Sequence, residues 1–297
     1  MNFLSGRMQE VLVKGRKSKV FILVTGVPQG SVLGPNLFLI FIGDISEGVT
    51  ATVLVYVDDL KVIKKVNTEE EVEQLQEDLN KIYDWEKNNN MLFNGGKFLV
   101  LRYGSNTELK DNTIYFTSEM QDIIQPVNFC RDLGIIMQDN ATFSMQIDKV
   151  CSKVRQKCGW IQRTFYNRSP RFMKHMYNTL VQPHIDYCSQ LWAPAEGGEL
   201  ERLEGCLRTF TSKVPAVQHL PYWGRLKELK MNSEQRRLER YKIIYTWKVI
   251  EGLVPNCGIY ETEKENERTG RKCKMPKHNG PAKIKIHERR KFSMLRT

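Results

Sequence analysis

Apolar positions recur along this chain with two different periods, and the change between them divides it. In the first 140 residues short branched runs alternate with longer helical stripes. Val20–Thr25 reads as a strand, followed by a turn at Gly26-Val27-Pro28-Gln29-Gly30. Ser31 is placed to cap a helix running to about Ile45. Its near-continuous hydrophobicity, Leu33 and Leu37 through Ile42, predicts burial against a sheet. Thr52–Val57 and Lys61–Val66 form two apolar strands with Asp58-Asp59-Leu60 between them, the pattern of a hairpin with acids at its tip. Thr68 with Glu71 makes a capping box, opening a helix from about Glu69 to Asn88 whose stripe is Val72, Leu75, Leu79, Ile82 and Trp85. Phe98–Tyr103, Ile114–Thr117 and Leu133–Met137 read as further strands.

Beyond Asn140 the period is helical throughout. Ile147, Val150, Cys151, Val154, Cys158 and Ile161 make one face. Ser169-Pro170 opens a second helix with Met173, Tyr177, Leu180 and Val181 inward and Pro183 ending it. Leu200–Lys213 and Glu234–Glu251 are further helices. The expected fold class is therefore α+β: a mixed sheet-and-helix domain over 1–140, an all-α region over 141–255, and a basic tail over 256–297 expected to be disordered.

The net charge of +11 is concentrated in that tail. Residues 268–297 hold eleven Lys or Arg against one acid, Glu288, which leaves 34 basic and 33 acidic residues in the preceding 267. Such a tail is a solvated segment about as often as it is a phosphate-binding arm, so charge alone decides nothing. The longest strongly apolar run, Leu37–Ile42, is far short of the roughly 20 residues that cross a bilayer, and no secretory pattern opens the chain. No membrane association is expected. The seven cysteines are scattered with no C-x-x-C pair, which points to reduced thiols in a cytosolic or nuclear protein. Cys257, Cys273, His278 and His287 match no known metal-finger spacing.

Two local features carry candidate chemistry. In Tyr56-Val57-Asp58-Asp59 two adjacent carboxylates repel unless a cation offsets them, and at a hairpin tip they converge on open space where a hard divalent ion can be held. Taken by themselves, these four residues are more commonly an ordinary turn. In Gly26-Val27-Pro28-Gln29-Gly30-Ser31-Val32-Leu33-Gly34-Pro35 the glycines admit close approach of a ligand to the backbone, ahead of a helix N-terminus. A strand-to-helix turn chosen for geometry is the plain alternative.

The order of that decapeptide, an apolar helix, and Tyr-Val-Asp-Asp between strands resembles reverse transcriptases, specifically those of non-LTR, LINE-type retrotransposons. Trp85, Phe93-Asn94 and Lys97 resemble a segment of the family in which Phe98 here replaces a cysteine, and Asp132-Leu133-Gly134 resembles the primer-grip turn. Arg168-Ser169-Pro170, Tyr177-Asn178, Pro183-His184, Asp186-Tyr187 and Trp192-Ala193-Pro194 resemble its thumb sequence, and the likeness runs from about Phe3 to at least Cys273. The resemblance implies a partial polymerase palm followed by a helical thumb. It implies Asp58 and Asp59 as ligands of Mg2+ or Mn2+, and Lys97 as a general acid toward pyrophosphate or, equally, a surface lysine. It further implies Pro28, Gln29, Gly30 and Tyr56 at nucleotide and template, Leu133 and Gly134 at the primer, and an RNA template with a DNA primer as partners. Trp85 is expected to fill the core.

The family's two-metal chemistry draws a further carboxylate from upstream of the Gly-rich motif. Glu10 is the sole acid before Gly26, and it does not sit in a family-like context. Two divalent ions about 4 Å apart would then have too little negative charge between them. The expectation is a polymerase fragment inactive on its own, with the alternative of a non-catalytic RNA- or DNA-binding protein derived from a retroelement. Oligomeric state is not legible.

Overall fold

The computed structural model describes residues 5–24, 26–104, 112–117, 122–194 and 197–254, together with the backbone of Phe292–Arg296. The chain divides into two compact units, one of Met1–Asn128 with Arg290–Thr297 and the other of Phe129–Arg289.

The first unit opens with two small antiparallel ribbons. β1 (Arg7–Gln9) pairs with β4 (Phe21–Leu23), and β2 (Leu12–Val13) pairs with β3 (Arg16–Lys17). Helix α1 spans Gly34–Phe41. β5 (Thr52–Tyr56) and β6 (Asp59–Lys65) form a hairpin, α2 spans Glu69–Asn89, and β7 (Leu99–Arg102), β8 (Tyr115–Phe116) and β9 (Ile123–Val127) follow. These strands join one six-stranded sheet in the order β5, β6, the C-terminal strand Phe292–Arg296, β7, β9, β8. Every pairing in it is antiparallel except β7 with β9.

Helix α2 forms as its sequence dictates. The Thr68 hydroxyl accepts from the Glu71 backbone N–H while the Glu71 carboxylate accepts from the backbone of Thr68, and Asn90 closes the helix in the left-handed region at φ 50°. Its inward stripe, Leu75, Leu79, Ile82 and Tyr83, packs on Leu60, Val62, Phe98, Val100, Tyr115 and Ile124 from the sheet. Trp85 lies half-buried at the edge of this core, its ring 5.7 Å from Phe41 and its indole N–H donating to Asp44 at 2.8 Å.

Helix α1 departs from expectation. It ends at Phe41, not near Ile45, and only Gly34 within it is buried; Val32, Leu33, Leu39, Ile40 and Phe41 are exposed. A helix that is apolar on every side needs neighbours on every side. Here one edge is covered, and burial resumes past its end at Ile42 and Ile45. The C-terminal strand is a second departure. Chain expected to be disordered instead supplies backbone pairing to both β6 and β7, two edges that would otherwise be left with unpaired donors and acceptors. The remainder of 255–291, including Cys257, Cys273, His278 and His287, lies outside the described residues.

The second unit begins with the hairpin β10 (Phe129–Asp132) and β11 (Ile135–Gln138), then turns wholly helical. The long helix Ser144–Thr164 buries each of the predicted Ile147, Val150, Cys151, Val154, Cys158 and Ile161. Pro183 does not end the second helix. The helix Pro170–Met176 widens into a π turn over Tyr177–Val181 and resumes over Gln182–Asp186 with Pro183 in its first turn, where no intrahelical N–H is required. Helices Gly197–Thr211 and Glu234–Ile250 match the sequence pattern closely, while Ser189–Trp192 and Tyr222–Leu229 were not expected.

These helices are keyed by a buried carboxylate network. Glu204 accepts from the backbone N–H groups of Glu234 and Gln235 at 2.9 and 3.2 Å, at the start of a helix whose own hydroxyl cap is Ser233. Glu234 in turn accepts from the Tyr177 hydroxyl at 2.8 Å and from the Gln182 amide at 3.2 Å. Burial pushes the Glu234 carboxyl up to about 7, against the pull of those hydrogen bonds. A folded-state value above the unfolded one means that the unfolded chain releases this proton first. The contribution of Glu234 to stability is then fully present below about 4.5 and is lost as pH rises from there to about 7. Urea titrations across that window are expected to show a Glu234-dependent loss on the order of 3 kcal/mol. Glu234→Gln should flatten that part of the profile; an unchanged slope would mean that Glu234 titrates normally.

Candidate active site

The hairpin β5–β6 is tight. Tyr56 pairs with Asp59, leaving Val57 and Asp58 as the two-residue tip, and Val57 adopts a left-handed φ of 57° that β-branched residues rarely take. The tip is thus one residue earlier than the sequence suggested, because Asp59 and Leu60 already belong to β6. Asp58 is exposed and Asp59 half-buried, with Tyr56 projecting beside them.

What anchors this hairpin is a residue that the sequence reading passed over. Asp78 is almost wholly buried, at 1% exposure, on α2. Its Oδ1 accepts from the Thr50 N–H at 2.9 Å. Its Oδ2 accepts from the Thr50 hydroxyl at 2.7 Å, the Ala51 N–H at 2.9 Å and the Lys64 ammonium at 3.2 Å. Thr50 and Ala51 lead into β5, and Lys64 lies near the end of β6. One carboxylate therefore ties both strands to the helix beneath them.

Lys97 sits exposed in a 3-10 turn before β7, while the adjacent Phe98 is buried against Tyr83 and Phe93. The sheet register relates it to the carboxylates. Arg296 faces Lys61 of β6 on one side and Leu99 of β7 on the other, and both strands run antiparallel to it. Two residues back along the chain from each lie Asp59, the first residue of β6, and Lys97, the last of the 3-10 turn, both toward the same end of the sheet.

The Gly-rich turn is built as a compact unit. Gly26 and Gly30 hold φ of 81° and 79°, conformations closed to most side chains. The Pro28 carbonyl accepts from both the N–H and the hydroxyl of Ser31, and the Ser31 oxygen accepts from Gly34 N–H at 3.0 Å. Ser31 thus caps the turn leading into α1, with Gln29 and Gly30 exposed at its apex. Glu10 is engaged elsewhere, paired with Lys17 at 2.7 Å on the exposed β2–β3 ribbon.

In the second unit Leu133 and Gly134 form the tight turn of β10–β11, at φ of 42° and 92°. The Tyr187 hydroxyl donates to the Leu133 carbonyl at 2.7 Å and the Lys149 ammonium to the Gly134 carbonyl at 3.2 Å, which fixes the turn from two sides.

Residues 2–129 match the model of the reverse transcriptase (RNA-dependent DNA polymerase) family. The RNA-directed DNA polymerase from mobile element jockey of Drosophila melanogaster is 26% identical over 250 residues, covering 80% of this chain and 26% of its own. Its Drosophila funebris counterpart is 24% identical, over 77% of this chain and 26% of its own. The probable RNA-directed DNA polymerase from transposon BS of D. melanogaster is 24% identical over 82% of this chain and 28% of its own. Residues 2–129 thus resemble a reverse transcriptase domain, and the relatives that cover most of the chain are RNA-directed DNA polymerases of mobile elements. It spans about a quarter of the length of the curated relatives it matches, and no solved structure matches it.

The Asp58–Asp59 pair offers this domain the oxygen donors that a hard divalent cation prefers. Among the described residues no group of three or more His, Cys, Asp or Glu stands ready to hold a metal. The donor chemistry therefore fits the family's cation, but the number of donors does not fit a two-metal centre.

The hairpin's support gives a direct prediction. An amide at position 78 can accept at only one of its two atoms, so Asp78→Asn leaves buried donors at Thr50 or Ala51 unmet. Stability should fall by roughly 2–4 kcal/mol in urea unfolding. Burial opposes ionisation of Asp78, but the Thr50 hydrogen bonds and the Lys64 charge outweigh it and hold the carboxyl below its usual range. The stabilisation is present at neutral pH and is lost as pH falls through that lowered value. A loss under about 0.5 kcal/mol would show the clamp to be incidental.

Proposed function

We propose that these residues carry the metal-binding hairpin and part of the nucleic-acid grip of an RNA-directed DNA polymerase, and do not by themselves complete its catalytic centre. The observation that carries this reading is the position of Asp58 at an exposed hairpin tip, with the half-buried Asp59 next to it at the start of β6, inside the region matched to the reverse transcriptase family. In this reading Asp58 and Asp59 bind a divalent ion, Mg2+ or Mn2+, which in the family supplies charge neutralisation at the transferring phosphate. Pro28, Gln29, Gly30 and Tyr56 contact nucleotide and template, and Lys97 faces the leaving group from the same end of the sheet. Leu133 and Gly134 present their rigid turn to the primer.

A second observation supports an RNA–DNA duplex as partner, whether or not chemistry follows. Lys149, Lys153 and Lys157 succeed one another at four-residue spacing on the helix Ser144–Thr164, a ridge of one sign. The Lys157 ammonium stands 5.9 Å from the ring centroid of the exposed Trp160. Burial and the nearby Arg131 lower the Lys149 ammonium, and burial with Lys153 and Lys157 lowers His184. An anion arriving beside Lys149 and His184 would favour their charged forms. Because Lys149 also holds the Gly134 carbonyl, ridge and turn are neighbours within the second unit. A backbone-reading contact of this kind favours the alternative of a non-catalytic RNA- or DNA-binding protein if the chain proves inactive.

One preparation tests both parts. The 297-residue chain should bind a fluorescent RNA–DNA hybrid, yet extend a DNA primer on an RNA template with Mg2+ or Mn2+ no further than a protein-free control. The double variant Lys153→Gln, Lys157→Gln should reduce the salt-dependence slope of binding by about 2. Robust primer extension would refute the incompleteness of the centre, and an unaltered slope would refute the ridge.

A further inference from the structure

In the second unit the helices Ser144–Thr164 and Gly197–Thr211 carry the same short pattern. On the first, Arg155 is followed a turn later by Cys158-Gly159 and then by Gln162; on the second, Arg202 is followed by Gly205-Cys206 and then by Thr209. Residues at these spacings share one side of a helix, and the two sides line one cavity of about 450 Å³. Pockets that hold small molecules span roughly 300–1,000 Å³. With about 3.6 residues per turn, Arg155, Gly159 and Gln162 lie on the flank of their helix away from Lys149, Lys153 and Lys157. The cavity is therefore separate from the lysine ridge.

Two glycines keep it open. Glycine is unfavourable inside a helix unless a close neighbour requires it, and here none does. A Cβ at Gly205 meets nothing within 4 Å, and one at Gly159 meets first the end of the flexible Arg163 side chain, at 3.1 Å. The floor is apolar, formed by the buried Cys158, Cys206 and Phe210. The rim is polar and carries an uncompensated charge. Arg202 pairs with Asp148 and stands 3.8 Å from Glu199, whereas among the described residues no carboxylate pairs with Arg155. Thr209 turns its hydroxyl back to the Gly205 carbonyl at 2.8 Å, so the rim offers a ligand chiefly the Arg155 guanidinium and the Gln162 amide.

We propose that this cavity binds a small amphiphilic monoanion, with an aromatic or aliphatic body over the Cys158, Cys206 and Phe210 floor and one carboxylate or sulfonate at Arg155 and Gln162. The floor removes the body from water, and the guanidinium fork meets two oxygens of the anion by charge-assisted hydrogen bonds. A single uncompensated cation matches a single negative charge. A nucleoside triphosphate would bring surplus negative charge beside Asp148 and Glu199, which already balance Arg202. The site lies wholly within the second unit and holds whether or not the polymerase reading does.

The test uses the full 297-residue chain and two fluorescent probes, anilinonaphthalene sulfonate and N-phenylnaphthylamine, which has the same rings without the sulfonate. The sulfonate should saturate one site per chain and shift the backbone amide resonances of Gly159, Gln162, Gly205 and Thr209. The neutral probe should bind at least about tenfold more weakly, and ATP at equal ionic strength should not displace the sulfonate. Arg155→Gln should weaken sulfonate binding about tenfold. Because Arg155 is exposed, that variant separates binding from folding. Gly205→Leu should abolish binding without lowering the thermal unfolding midpoint, since leucine favours the helix that glycine disfavours. Equal affinity for the two probes, an affinity unchanged in either variant, or resonance shifts confined to the exposed apolar residues of the first unit would overturn the proposal.

Discussion

A single buried carboxylate, Asp78, ties the β5–β6 hairpin of the first unit to the helix beneath it. β5 is an edge strand, and Leu54, Val55 and Tyr56 on it are exposed, so little packing holds its outer side. What fixes it are the ladder to β6 and the oxygens of Asp78, which gather the two backbone N–H groups entering β5, a hydroxyl, and a lysine from β6. Removing that many polar groups from water is tolerable only because each meets a partner. The tip of the hairpin can then stay exposed while its base is held. The same device recurs in the second unit, where Glu204 and Glu234 join three helices through donors that would otherwise be orphaned.

Much of this was legible in the sequence wherever a local rule and the core agreed. The Thr68–Glu71 box, the stripe from Val72 to Trp85 and the seven-residue recurrence from Ile147 to Val154 to Ile161 each state both an element and the face it buries. The Asp58–Asp59 hairpin was recognisable because two branched strands frame it. Asp78 was hidden by its neighbours. It reads as one more acid on an acidic helix, although its place beside Leu79 and three past Leu75 puts it on the inward side. The lysine ridge at 149, 153 and 157 was readable at four-residue spacing but escaped notice behind the apolar face of the same helix.

Other features could not be read locally. The exposure of α1 depends on how many neighbours the fold provides, which hydrophobicity alone does not state. Pro183 ordinarily ends a helix, and only the π turn at Tyr177–Val181 moves it to a position where its missing N–H costs nothing. The pairing of Phe292–Arg296 between β6 and β7 joins segments more than 190 residues apart in sequence, beyond any periodic signal. It is this pairing that aligns Asp59 and Lys97 at one end of the sheet.

The likeness to reverse transcriptases and the geometry meet at that end, where Asp58 stands at the hairpin tip and Asp59 opens β6, and the proposed role of this pair is to hold one divalent cation. Titrating Mn2+ into the isotope-labelled chain and following amide relaxation tests this most directly. The account predicts selective broadening at Val57, Asp58, Asp59 and Leu60, weaker effects near Lys97, and loss of both in Asp58→Asn with Asp59→Asn. Broadening that ignores the hairpin, or that survives unchanged in the double variant, would contradict it.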